Sequence, residues 1–278
     1  MTLSNAESRA VIRQILETCL VRRAACLSEA DLGRSAAVFA PHPDDETLGC
    51  GGMIALKRRV GADVRVVFMT DGRRSNRRLM PEEEIRAIRR DEALAAAKTL
   101  GVDPDRLTFL DFQNGMLAQV FQAARQKVGQ ILEEEPEEVL IPYHGEPRLA
   151  SDEHRLTNQI VTSVLESCKR VRYVYEYPIW LWNRWPWVPV PQVRLRRRIR
   201  FLLASARCCV ALFQDFRYCV DARSVLDLKK AALDCHRSQM TRIVPDERWR
   251  TLPDVGNGEF LRCFLGGYEF FSRHRIPR

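Results

Sequence analysis

The chain has 278 residues, 46% of them hydrophobic, and a formal net charge of +8. That length and composition suit one large folded domain, with or without an appendage, and exclude a disordered chain. No apolar run approaches the roughly 18 residues of a membrane span, and the charge-interrupted start MTLSNAESRAVIRQILETCLVRR lacks the form of a signal peptide. Nine cysteines, an odd number with no CxxC spacing, suit a reducing compartment with the thiols as small core residues, so a cytoplasmic location is expected. The positive excess falls entirely from Arg194 onward. No nucleic-acid recognition motif accompanies it, so no nucleic-acid partner is expected.

In chain order, the first segment predicts an amphipathic helix. Ser4 and Glu7 have capping-box spacing, and Val11, Ile12, Ile15, Leu16 and Cys19 fall on one side. Short β-rich runs follow at Ala36–Ala40, Val64–Met69, Leu107–Phe112, Val139–Pro142 and Val171–Tyr177. Helical patterns lie between them at Thr47–Val60, Glu82–Leu100, Leu117–Glu135 and Asp152–Cys168. Strands alternating with helices of this length predict an α/β fold: a Rossmann-like, mainly parallel sheet with helices on both faces. The chain reads as one domain over 1–278, with a helical extension at 1–33 and a Trp/Pro/Arg-rich insertion at 178–213. Within the insertion, YPIWLWNRWPWVPVPQV is too rich in proline for regular helix or central strand. Its tryptophans either hold the loop together or stack on a ligand. Arg194–Phe213 and Ala222–Gln239 look helical, and Val255–Phe271 could add a strand or short helix. The run RLRRRIR, Arg194 to Arg200, reads either as a solvated face, with or without pairing to acids elsewhere, or as a surface for an anionic membrane or a lipid-linked glycan.

The chemistry concentrates in SAAVFAPHPDDETLGCGG, residues 35–52. An imidazole and three consecutive carboxylates follow an apolar strand, at the sheet edge where α/β proteins bind ligands. Adjacent acids repel one another, so a cation is the expected partner. His42 and Asp45 can reach one ion from a loop. His154, at the start of the helix after the fourth predicted strand, lies on the same rim and supplies a third ligand. Two histidines and a carboxylate suit zinc, and equally ferrous iron. Asp44 is left beside the metal as a general base. Asp71, in the Thr70-Asp71-Gly72 turn ending the second strand, either orients a ligand or caps the turn.

The stretch APHPDDETLGCGG resembles the signature of the PIG-L/LmbE-like family of zinc-dependent N-deacetylases. The likeness continues through TDGRRS, RAIRRDEALAAAKTLGV, LTFLDFQNG, DEHR and DLKKAALDCHRSQ. The resemblance implies a Zn2+ enzyme that removes an acetyl group from an N-acetylglucosamine-type amine, leaving acetate and a free amino sugar. It places the metal on His42, Asp45 and His154 and the base on Asp44. It points Arg89 at the substrate, where helix spacing alone would pair that arginine with Glu92. Two positions depart from the family pattern. Ser151 stands where the family has a histidine that helps to stabilise the oxyanion, and Asn114 where it has an acid. Ser151 and Asn114 are therefore expected in substrate binding, and His144, ten residues before His154, as the replacement donor. The alternatives are a metal-dependent amidase on a non-sugar amide, or a carbohydrate-binding member without turnover.

Overall fold

The computed structural model describes residues 4–133, 136–147 and 152–276. The chain opens with α1 (Asn5–Arg23), β1 (Ala25–Cys26) and α2 (Glu29–Leu32). Alternating units follow: β2 (Ala36–Ala40), α3 (Asp45–Arg59), β3 (Val64–Thr70), α4 (Glu82–Thr99), β4 (Leu107–Phe112), α5 (Phe121–Leu132), β5 (Glu138–Pro142), α6 (Glu153–Leu165) and β6 (Tyr173–Tyr177). The last third holds α7 (Leu195–Asp215), β7 (Tyr218–Asp221), α8 (Leu226–Cys235), α9 (Arg237–Met240), α10 (Glu259–Arg262) and β8 (Tyr268–Arg275).

Among the described residues, eight strands form one sheet in the order β1-β7-β8-β6-β5-β2-β3-β4. Strands β6, β5, β2, β3 and β4 run parallel, and β8 is antiparallel to both β6 and β7. The five strands read from the sequence are the parallel block. Strand β2 is buried throughout, which explains its unbroken apolar run: successive side chains enter opposite layers. Ala36, Val38 and Ala40 join the core beneath α3, α4 and α8. Ala37 and Phe39 join the core beneath α5 and α6.

Helix α1 carries the capping box, with Ser4 and Glu7 bonded reciprocally. Its buried side overlaps only in part the one the apolar periodicity indicated. Leu20 is buried and Leu16 packs on the core, while Val11, Ile15 and Cys19 are exposed. The rotation follows from Arg9 and Arg13, which both pair with Glu259 of α10 and turn their own side of the helix inward.

The small residues of the motif have a packing reason. A Cβ on Gly49 would lie 2.2 Å from the Tyr177 ring, so only glycine lets α3 approach β6. The insertion splits in two. Trp182 and Trp187 meet edge-to-face at 5.1 Å inside the core, whereas Trp180 faces a cleft at the sheet rim.

Candidate active site

From β2 the chain moves outward through β3 to β4, then returns to place β5 on the other side of β2. The crevice above that reversal is where open α/β sheets bind ligands. His42 leaves the end of β2, and His154 opens the helix that follows β5, so the two imidazoles meet across it, with ring centroids 5.5 Å apart.

The three consecutive acids do not face one another; each has its own partner. Asp44 Oδ2 lies 3.0 Å from the Arg89 guanidinium. Asp45 Oδ2 lies 3.1 Å from His42 Nδ1 and 3.4 Å from His154 Nε2. Glu46 turns away from the crevice and accepts from Thr47 Oγ1, at 2.7 Å, with His236 Nε2 at 3.0 Å. The divergence requires an unusual backbone: Asp44 sits at φ 135°, a conformation costly for a residue with a Cβ. Glu46 holds it there by accepting from the Asp44 amide at 2.9 Å.

His42, Asp45 and His154 each offer a ligand atom, all within 4.8 Å of one another. The donor set fits a cation. The Glu153 carboxylate lies 2.6 Å from His42 Nε2; accepting a hydrogen bond from Nε2–H leaves the Nδ1 lone pair facing Asp45, the arrangement by which an outer carboxylate orients a metal-binding histidine. Without an ion, burial disfavours charge on His42, but Asp45 and Glu153 outweigh it and push the imidazole up to about 10. The pocket thus favours positive charge where the ligand atoms meet. His154 is pushed the other way, to about 4, first by burial and then by repulsion from His42, and so stays neutral. Its Nδ1 is buried without a hydrogen-bond partner.

The triad lies in a cleft of about 420 Å³. Its lining combines apolar side chains, Ile179, Trp180, Leu252, Val255 and Phe260, with polar ones, Arg74, Asn114, Gln239 and Arg250. Asn76 ties two of the lining segments together, bonding the Arg250 backbone through both its amide atoms.

Arg89 reaches Asp44 and the Pro43 carbonyl, not Glu92, which is engaged by Ser238. Gly72 makes the passage: a Cβ there would lie 2.9 Å from the arginine side chain. Asn114 lines the cleft and donates to Glu153. Asp71 is buried behind the wall, holding Arg73 and the Asn114 amide, so it shapes the turn and does not line the cleft. Ser151 lies outside the described residues.

His144 requires a correction. Its Nδ1 lies 2.9 Å from Glu176 Oε2, its side chain is 56% exposed, and it does not line the cleft. Glu176 on β6 captures it, together with His274, which lies 3.2 Å away on the same oxygen. His144→Ala is therefore expected to leave kcat within about threefold of the parent, the scale of a distant surface change. A ten-fold or larger loss in a steady-state assay would return it to the site.

Several contributors escaped the sequence. Glu153 orients His42, and Gly115 and Asn114 donate to it. His236 clasps Glu46. The Trp180 indole N–H donates to His154 Nε2 at 3.3 Å. Buried Glu146 accepts from the Ile179 and Trp180 amides, fixing the apolar wall. Only Glu153, beside a predicted ligand, had a sequence signal; the others come from segments far apart in the chain.

Residues 37–165 match the family described as PIG-L: GlcNAc-PI de-N-acetylase. No curated protein matches the chain. Among solved structures, an N,N'-diacetylchitobiose deacetylase from Pyrococcus horikoshii is 20% identical over 100% of this chain and 94% of its own, with a TM-score of 0.61. A deacetylase involved in teicoplanin biosynthesis is 18% identical over 87% and 98%, with a TM-score of 0.59. A 4-carboxy-2-hydroxymuconate hydratase from Pseudomonas putida KT2440 is 20% identical over 88% and 97%, with a TM-score of 0.56. At these identities the likeness establishes the shared fold.

Proposed function

Residues 37–165 match the PIG-L family, and from that likeness we propose that the protein is a zinc-dependent hydrolase that removes the acetyl group from an N-acetylglucosamine-type amino sugar or its conjugate. The observation that carries this reading is the meeting of His42, Asp45 and His154 around one point, with a separate buried carboxylate, Asp44, beside it. A cation held there would polarise the amide carbonyl and acidify water. The chain's own residues supply the rest. Asp44 takes the proton of the attacking water and returns a proton to the departing amine. Arg89 holds that carboxylate in place, and its charge keeps it ionised. Glu153 fixes the ring of His42.

The mixed apolar and polar lining of the cleft supports a sugar substrate, since a pyranose presents apolar C–H faces and a polar hydroxyl edge. Arg74, Asn114, Gln239 and Arg250 are positioned to bind that edge. Two of the fold's neighbours are named as deacetylases, one of N,N'-diacetylchitobiose and one involved in teicoplanin biosynthesis. A third is named as a hydratase, so the test must read the bond that is broken. We place the enzyme in the cytoplasm on its cysteine pattern, as one domain with the 1–33 extension and the 178–213 insertion. Metal-loaded protein offered a series of N-acetylated amino-sugar conjugates is expected to release acetate and amine in equal amounts. Metal-replete protein that releases acetate from none of them would remove the reading.

A further inference from the structure

Helix α7 has an apolar stripe that is exposed to solvent. Leu195 is 71% exposed, Leu203 59% and Val210 52%, and Ile199 and Leu202 are also exposed. At 100° per residue these five fall within an arc of roughly 100°. The helix packs through its opposite side, where Ser205 and Leu212 are its buried residues. Ser205 Oγ accepts from the Trp185 amide, and Tyr143 donates to Asp215 at the far end, so the C-terminal half is anchored. Every residue from Pro191 to Arg200 is exposed.

The stripe is edged with charge. Arg196 and Arg200 flank it on one side, Arg194 and Arg198 on the other. Among the described residues, no ion pair engages any arginine from Arg194 to Arg200. Their charges are therefore not neutralised by neighbouring acids. No described helix is long and apolar enough to cross a membrane, and five arginines in seven residues prevent α7 from doing so.

We propose that α7 is a membrane-surface helix, lying in the plane of an anionic bilayer with the Leu195–Val210 stripe in the acyl boundary and the flanking arginines on acidic head groups. An apolar stripe opposite the packed side and edged by arginine is the pattern of interfacial helices. A second copy of the chain fits less well: α7 contains no acid before Asp215, so pairing two such helices would set like charges together. The cytoplasmic leaflet supplies the required negative surface. The inference does not depend on the deacetylase reading.

Co-sedimentation with phosphatidylcholine vesicles, with and without phosphatidylserine, tests it at low and near-physiological salt. Binding is expected only to the phosphatidylserine vesicles, weakening with salt. The triple change Arg196→Gln/Arg198→Gln/Arg200→Gln should lower the partition coefficient on the order of 100-fold. Leu195→Ser/Ile199→Ser/Leu203→Ser should abolish binding. All six side chains are exposed, so both variants should keep the parent's unfolding temperature. Equal sedimentation with both vesicles, or none, would overturn the proposal. So would a concentration-dependent dimer that the leucine and isoleucine changes dissolve, with no vesicle binding.

Discussion

Asp44→Asn is expected to lower turnover by roughly 100-fold or more while the bound metal is retained, the scale on which a lost general base is felt. Asp44 is adjacent to the ligand triad without belonging to it, and Arg89 holds its carboxylate 3.0 Å away. Burial pushes the Asp44 carboxyl up to about 6; the neighbouring Asp45 adds to the rise and Arg89 opposes it. The sign of the pH dependence follows. A general base acts when deprotonated, so kcat/KM should rise with pH through an acidic limb and level above it. A bound cation favours the charged carboxylate, which puts the limb at or below about 6. Arg89→Gln withdraws a charge that favours ionisation, and should move the limb to higher pH. Metal analysis alongside a pH–rate profile checks all three statements. Near-normal turnover by Asp44→Asn would sink the role.

His154→Ala should lose metal and activity together. Its imidazole is one of three ligand groups within 4.8 Å, and the remaining pair offers too few donors for tight binding. An activity-independent readout exists, because a metal bound only by the folded state raises the unfolding temperature. Chelator should lower the parent's unfolding temperature and leave that of His154→Ala unchanged. Glu153→Gln keeps every ligand but weakens the acceptor at His42 Nε2, and should cost 10–100-fold in metal affinity, as is usual for such supporting groups. Full metal occupancy in purified His154→Ala would remove this residue from the site.

Local rules carried the parallel block of the fold and the meeting of His42, Asp45 and His154. Strand β2 was legible because a strand buried on both faces needs an unbroken apolar run, and its bounds were read to the residue. His42, Asp45 and His154 were legible because they sit where strands end or helices begin on one rim, and that rim follows from strand–helix alternation alone. What lay beyond local rules was which side chain captures which. Position in the chain put His144 on the same rim, but the orientation of Glu176 on β6 drew it out of the cleft. Helix spacing offered Arg89 to Glu92, but Ser238 engaged Glu92 from a segment 146 residues away and Arg89 turned to Asp44. The periodicity of α1 marked Val11 and Ile15 for burial, yet ion pairs to Glu259 rotated the helix. The charge and apolar pattern of α7 were both written in the sequence; only the packed structure showed that the apolar stripe faces outward. By itself, then, the sequence determined the alternation, the rim and the three side chains that meet on it, because these depend on near neighbours. The tertiary structure decided the base's partner, the histidine's exclusion and the free helix face, because each is a competition among groups that meet only after folding.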